Sequence, residues 1–501
     1  GFMASSSDAR FSTRWTLILS VLGIAVGTGN IWRFPRIAAS TSGETGAGAF
    51  LVAWVMFLFL WSIPLIIAEY AIGRKGRMGV VGSYVQVAGE KRGWMGGFIG
   101  VVTTAIMFYY AVVAGWCLFY FWEALSSPLP LSNEAAQAGW DAFQTGGTPV
   151  FVHAIAMSVG ALAVWKGISS IERVNRVLIP ALLGILILAL GRTFLLPGAW
   201  EGIAFLFTPE WSLLTDPRLW LEALTQNAWD TGAGWGLILT YGAYMQSRHG
   251  VVSNALITGI GNNIVSLVAA MIIFGTVFAI LGADMTQSEV LDVMQTSGPA
   301  GTGLTFIWMP QLFEQMAFGR PLAMLFFLGL SFAALSSLIS MIELATRSFV
   351  DAGVRRPTAV GWVAGLGFLL GIPSAVNLNI FANQDFVWGV GLLISGALVA
   401  LAVITYGPRA FRTETMGHGG ELNPGATWDT LITYFIPLQA VLVLGWWIYQ
   451  SIFVFAPDTW FNPFDTYSIM SCLVQWALAG IVLWALNDRY VTRMMERAPS
   501  T

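Results

Sequence analysis

Long apolar runs leave a chain few ways to fold. Inside a bilayer no water satisfies the backbone, so a spanning segment must be a helix or a strand of a closed barrel. Twelve runs here, at 15–39, 50–72, 95–125, 149–165, 174–196, 219–245, 251–281, 321–349, 358–372, 386–406, 427–453 and 467–486, suit crossings. A helical crossing needs roughly 20 apolar residues, a barrel strand only about 10 of alternating polarity. The runs fit the first, so the chain is predicted to be an all-α polytopic membrane protein with 12 transmembrane helices. Composition removes the other classes. Charged residues make up 10% of the chain, against about 25% in soluble domains. Its 14% of aromatic residues is too many for a disordered chain. The 24 Lys and Arg against 27 Asp and Glu leave no positive excess to attract nucleic acid.

Basic residues set the orientation. With the N-terminus in the cytoplasm, 19 Lys and Arg fall in inner segments and only Arg192, Arg218 and Arg320 in outer ones. The positive-inside rule therefore predicts a multi-pass protein of the cell's inner (plasma) membrane with both termini cytoplasmic. Cys117 and Cys472 sit within apolar runs, and the histidines at 153, 249 and 418 have no ligand spacing. Neither pattern suggests a disulfide framework or a metal cluster. No Asn-x-Ser/Thr sequon occurs, which favours a prokaryotic source. Gly1-Phe2 ahead of Met3 reads as an expression scar, and the segment after it is too polar for a signal peptide. The long outer segment 282–320 reads as a partly helical flap or a plain loop.

Two of the runs are broken by glycine. The first contains Gly23-Ile24-Ala25-Val26-Gly27-Thr28-Gly29-Asn30, the sixth Asp230-Thr231-Gly232-Ala233-Gly234-Trp235-Gly236. Each glycine inside a helix costs about 1 kcal/mol relative to alanine. Either run alone could be a close-packed helix face. Two such runs, five spans apart, are the expected mark of an inverted-repeat transporter with its site at mid-membrane. Unwound backbone offers carbonyls to a cation, and a half-helix N-terminus offers amides to an anion. Asn30, Asp230, Asn262, Ser336 and Ser337 add hard oxygen ligands, so the site suits a zwitterion together with sodium.

The residues 23–35, ending in Ile31-Trp32-Arg33-Phe34-Pro35, match a known signature. With Gly48-Ala49-Phe50, Ile63-Pro64-Leu65, Glu69, Gly73-Arg74, Tyr109-Tyr110 and Phe332-Ala333-Ala334-Leu335-Ser336-Ser337, the sequence resembles the neurotransmitter:sodium symporter family, in particular its bacterial amino-acid members. The resemblance implies a leucine-transporter-like 5+5 inverted repeat with broken helices 1 and 6, plus two C-terminal helices. It divides the chain into a cytoplasmic N-terminal segment (1–13), a first repeat (14–196), an extracellular loop (197–218), a second repeat (219–408), helices 11 and 12 (427–488) and a cytoplasmic tail (489–501).

Carried over residue by residue, the resemblance gives the first sodium the Ala25 carbonyl, Asn30, Asp230 and Asn262. The second would take the Gly23, Val26 and Ala333 carbonyls with the Ser336 and Ser337 hydroxyls. The substrate would meet Ala25, Gly27, Gly29, Ile106, Tyr110, Trp229, Gly232, Trp235, Ser337 and Met341. Arg33 and Asp385 match the outer ion-pair gate, above an aromatic lid of Tyr110 and Trp229, and Asp351 matches the acidic half of the inner gate. Chloride-dependent members hold their anion with a tyrosine, a glutamine, an asparagine and two serines. Here Gln226, Asn262 and Ser266 remain, while Trp54 and Asp230 stand at the other two positions. Asp230 is therefore expected to replace chloride; the rival reading is a protonated Asp230 that only donates a hydrogen bond.

Departures from the pattern are Phe11 at the inner tryptophan, Asp8 at the inner-gate arginine with Arg10 the nearest substitute, and Ser170 at a helix-5 glycine. Ser336 and Ser337 could instead bond backbone, and Tyr110, Trp229 and Trp235 could be plain core. The buried-looking acids Glu69 and Glu343 could serve only backbone amides or hydroxyls and are given no transport role. No nucleophile–base set or phosphate loop suggests an enzyme. The expectation is a sodium-coupled importer of a neutral, apolar amino acid with two sodium sites, no chloride requirement, no organic cofactor and no obligatory protein partner. Alternatives are another small substrate, transport without sodium, a transport-dead amino-acid sensor, or a channel, which would need a continuous polar pore.

Overall fold

The computed structural model of the protein describes residues 9–27, 29–295 and 303–498, and these form helices joined by short connections with no β-strand among them. Nine described helices are long and apolar enough to cross a membrane: α3 (Gly48–Gly76), α4 (Glu90–Ser126), α6 (Ile168–Phe194), α9 (Val251–Leu281), α10 (Gly319–Asp351), α11 (Arg356–Val376), α12 (Leu378–Tyr406), α13 (Gly425–Phe455) and α14 (Ile469–Met495). The shorter α5 (Thr148–Val164) follows a bent outer helix, Asn133–Thr145. The first expected crossing is two pieces, α1 (Arg14–Ala25) and α2 (Phe34–Ser40), joined through a π-helical turn at Gly29–Arg33. The sixth is α7 (Pro217–Asp230) and α8 (Leu237–Gly242). Both interruptions fall where the glycines predict them.

Burial separates core from rim. The most apolar stretches of α4, α10 and α12 are 78%, 72% and 72% buried, against 28% for α13 and 17% for α14. The last two helices thus lie at the lipid-facing edge of the bundle. Both described ends of the chain meet one end of the bundle. Phe11 packs edge-on against Tyr241 and Tyr244, and Tyr490 near the end of α14 donates to the Ser348 carbonyl at 3.1 Å. The outer segment is partly helical at Gln287–Gln295 and Gly303–Glu314, as one of its two readings expects, while 296–302 lie outside the described residues.

The break between α7 and α8 follows from local chemistry. Gly232, Gly234 and Gly236 have φ of +73°, +86° and +82°, a region that a Cβ would strain. The amides that this turn withdraws from helical bonding cannot stay unpaired in a dry interior. Glu69 of α3, 0% exposed, accepts from Gly234 N and Gly236 N at 2.8 Å each. On the other side the Thr103 hydroxyl donates to the Trp235 carbonyl at 2.6 Å. Glu69 therefore bonds amides, as the sequence allowed, and that bonding sets the shape of the break. Glu69→Ala should lower stability by about 1–3 kcal/mol for each stranded amide, seen as a drop in the melting temperature of the detergent-solubilised protein. Glu69→Gln, which keeps one acceptor oxygen, should fall between.

Candidate substrate and sodium site

A cavity of about 430 Å³ lies between the two breaks and widens toward the end of the bundle opposite the termini. Its deep wall carries Gly27, Gly29, Ile106, Tyr110, Trp229, Gly232, Trp235, Ser337 and Met341, nine of the ten expected substrate contacts. The tenth, Ala25, is the last residue of α1. Higher up the wall includes Arg33, Arg36, Tyr109, Asp385, Phe386, Trp447, Phe455 and Tyr467. Arg36, Tyr109 and the α13 aromatics had no expected place in the site, although Tyr109 belongs to one of the motifs. Gly27 is closely fitted: a Cβ there would lie 2.6 Å from the Tyr110 hydroxyl and 2.9 Å from Ser337 Oγ.

Around the α1 break two of the ligands expected for the second sodium, the Ser337 hydroxyl and the Gly23 carbonyl, lie within bonding distance. Ser337 Oγ donates to the Ile24 carbonyl at 2.9 Å, with the Gly23 carbonyl at 3.2 Å. Ser336 Oγ donates to Ala333 O on its own helix at 3.0 Å, and the Val26 N–H still bonds Leu22 O at 3.0 Å. The serines thus bond backbone in this structure, and one of their partners, Ile24, was not foreseen. A backbone acceptor leaves no trace in residue identity.

The first-sodium and chloride-site positions form a second buried cluster. Asn30 Oδ1 accepts from Gly27 N at 3.2 Å, and Asn30 Nδ2 donates to Ser266 Oγ at 2.7 Å. Asp230 accepts from Gln226 Nε2 at 2.8 Å and from Trp54 Nε1 at 3.2 Å. Trp54 is held in turn against the Phe34 ring, with centroids 4.6 Å apart. One turn before Ser266, Asn262 Nδ2 bonds Thr258 O at 2.8 Å, but its Oδ1 is buried without a partner. A buried amide oxygen without a partner fits a hard cation, and the expected donors, all oxygen, suit sodium.

The gates differ from expectation. No ion pair joins Arg33 to Asp385: the Arg33 guanidinium lies 3.9 Å over the Trp229 ring, and Asp385 Oδ1 accepts from the Tyr109 hydroxyl at 3.1 Å. Both residues line the cavity, and each has a local partner in place of the other, the Trp229 ring for Arg33 and the Tyr109 hydroxyl for Asp385. At the closed end, Asp351 pairs with Arg347 at 2.8 Å, four residues earlier on α10, and accepts from Gly79 N at 2.6 Å. Asp8 lies outside the described residues. Beside this pair Glu343 binds Arg356 and accepts from the Tyr244 hydroxyl. Ser12 and Thr16 hydroxyls donate to Glu172 of α6 at 2.9 and 3.1 Å, sealing Phe11 beneath the cavity. Ser170, in the first turn of α6, accepts from Lys166 N at 3.2 Å.

A helical membrane bundle with two broken helices, a central cavity and a gate at either end is the architecture of a secondary transporter. The model of the sodium:neurotransmitter symporter family matches residues 8–143 and 148–494, and the chain belongs to that family. It is 27% identical over 460 residues to the uncharacterized sodium-dependent transporter YhdH of Bacillus subtilis, covering 88% of this chain and 98% of that one. It is 28% identical over 468 residues to the sodium-dependent serotonin transporter of Drosophila melanogaster, covering 84% and 73%. Its fold is similar to the crystal structure of MhsT in complex with L-phenylalanine, with a TM-score of 0.75 and 29% identity over 87% of this chain and 98% of that one. The protein is a sodium-dependent transporter and not an enzyme.

Removing one partner of a buried ion pair strands the other charge. Arg347→Met should therefore cost about 3–5 kcal/mol, and pairing it with Asp351→Leu should recover most of that. Thermal unfolding of the two variants beside the parent checks this.

Proposed function

We propose that the chain carries a neutral, apolar α-amino acid into the cell together with sodium, by alternating access and without chloride. The observation that carries the reading is Gly27. In monoamine members, the family resemblance places at this position an aspartate that meets the amine. Here the Tyr110 hydroxyl and Ser337 Oγ already crowd the space in which its Cβ would sit. A substrate must then bring its own carboxylate to the unwound α1 and the sodium. Ile106, Trp235 and Met341 leave a mainly apolar chamber for its side chain, where an unpaired charge would cost several kcal/mol. The neighbour solved with L-phenylalanine agrees with such a substrate.

The proposal extends to two sodium ions. Asn30, Asn262, Asp230 and the Ala25 carbonyl would hold one, and Ser336, Ser337 and the carbonyls of Gly23, Val26 and Ala333 the other. On binding, the ion takes the place of the bond from Ser337 to the α1 carbonyls, whose oxygens are already gathered there. Asp230, supplied with donors from Gln226 and Trp54, acts as the fixed anion beside the first sodium. A second anion about 4 Å away would be repelled strongly in a low-dielectric interior. The membrane is the inner (plasma) membrane, with both termini in the cytoplasm and the wide end of the cavity outside.

Asn262→Ala should weaken sodium-dependent amino-acid binding by about 1–3 kcal/mol, read from sodium titrations of ligand binding. In proteoliposomes, potassium in place of sodium should abolish accumulation, and unlabelled neutral amino acids should compete where serotonin and dopamine do not. Monoamine competition as strong as that of any amino acid overturns the substrate reading. Replacing chloride with gluconate at constant sodium should leave uptake unchanged; a large loss means that the anion is required and that Asp230 does something else.

A further inference from the structure

The lid residue Trp229 touches an element that neither the sequence motifs nor the proposed ligand sets include. Gly389, buried in α12 one turn beyond Asp385, has no side chain between its backbone and the indole. A Cβ built there would overlap Trp229 Cη2 and Cζ2, and the third nearest atom, Cε2, belongs to the same ring at 3.6 Å. No hydrogen bond holds the indole: its Nε1 is buried without a hydrogen-bond partner. Its face carries the Arg33 guanidinium, 3.9 Å from the ring centroid. Shape, not a directional bond, therefore positions the ring.

We propose that Gly389 is the slot that receives Trp229 when the outer lid is open, and that it thereby fixes both the open position of the lid and the size of substrate that can pass. α12 is a continuous helix through this point and cannot step aside, whereas the indole is the free end of a side chain. A side chain at 389 moves the ring away from α12, toward Ile106 and the chamber below. Arg33, which rests on the ring, moves with it toward Asp385. The slot is thus a positioning device for the lid and not a ligand contact. The part concerning substrate size rests on the proposed amino-acid reading; the part concerning lid position does not.

The test is made in the full-length protein with Cys117 and Cys472 replaced by serine and Ile106→Cys as a reporter at the cavity floor. Labelling by a membrane-impermeant thiol reagent is followed in sodium without any amino acid. Gly389→Ala should slow labelling about tenfold, the lower end of what one misplaced methylene does in a fitted pocket. Adding Trp229→Phe should restore the parent rate, because the smaller ring no longer reaches the new Cβ. Equal rates in parent and Gly389→Ala, faster labelling, or slowing that Trp229→Phe leaves untouched each overturn the proposal. Alanine is a better helix former than glycine, so a loss of folding would itself arise from the clash. Recovery of folded protein by Trp229→Phe then supports the slot, and failure to recover counts against it. Without the cysteine reporter, Gly389→Ala should raise the KM of a phenylalanine-sized substrate more than that of alanine. If labelling behaves as expected but no amino acid competes, the substrate reading fails and the slot stands.

Discussion

The structure depends on a carboxylate where a helix would otherwise have its own carbonyls. An interrupted helix at mid-membrane must find partners for the amides it frees, and water is not there to provide them. Glu69 meets two of them with its two oxygens, at Gly234 and Gly236, both of which hold positive φ. Trp235 is thereby turned so that its carbonyl meets Thr103 while the residue lines the cavity. The α1 break is met in the same two ways. Its carbonyls are answered by a hydroxyl, Ser337 of α10, and its Gly27 amide by the Asn30 side-chain oxygen. Each break thus has side-chain donors for its carbonyls and acceptors for its amides, and the cavity between them is lined by both kinds of backbone group.

The ends of the cavity are held by interactions of unequal strength. At the inner end, Arg347–Asp351 and Arg356–Glu343 join α10, α11 and the loop at Gly79, and Tyr244 ties α8 to the same group. Phe11, 0% exposed, fills the space above them. At the outer end Arg33 and Asp385 face a shared opening with separate partners. The molecule therefore stands open at the end away from the termini and closed at the other, and the difference lies in which charges are within bonding distance.

Much of this was legible in the sequence, for identifiable reasons. Glycine clusters such as 232–236 mark breaks because no other residue adopts their backbone cheaply. The polar residues Asn30, Gln226, Asp230, Asn262 and Ser266 stand out because a polar side chain in an apolar helix needs a reason to be there. The structure joins Asn30 to Ser266 and Gln226 to Asp230, while Asn262 bonds the Thr258 carbonyl of its own helix. Other features were not legible. The Ile24 carbonyl has no signature in side-chain identity. Arg347 and Asp351 are four apart on one helix, a spacing visible in the sequence, whereas the family pattern pairs Asp351 with an arginine of the N-terminal segment. The separation of Arg33 from Asp385 belongs to one conformation of a moving gate, and a sequence encodes all of them at once.

In the open state Arg33 has a cation–π contact, a kind of interaction giving about 0.5–2 kcal/mol. In a closed state it would have an ion pair near water, typically roughly 0–1 kcal/mol. The two are close enough that the arginine does not by itself choose a state. Nor does Asp385, which exchanges a Tyr109 hydroxyl for a guanidinium. A gate balanced in this way moves only when something binds the two states unequally, and by no more than that difference. The inner end is not balanced, because parting its buried pairs would expose each charge to a cost of several kcal/mol. Sodium and substrate filling the centre can therefore shut the outer gate with modest differential affinity. Opening the inner one requires that the helices carrying Arg347, Asp351, Glu343 and Arg356 stay together as a unit while α1 and α8 swing away from them.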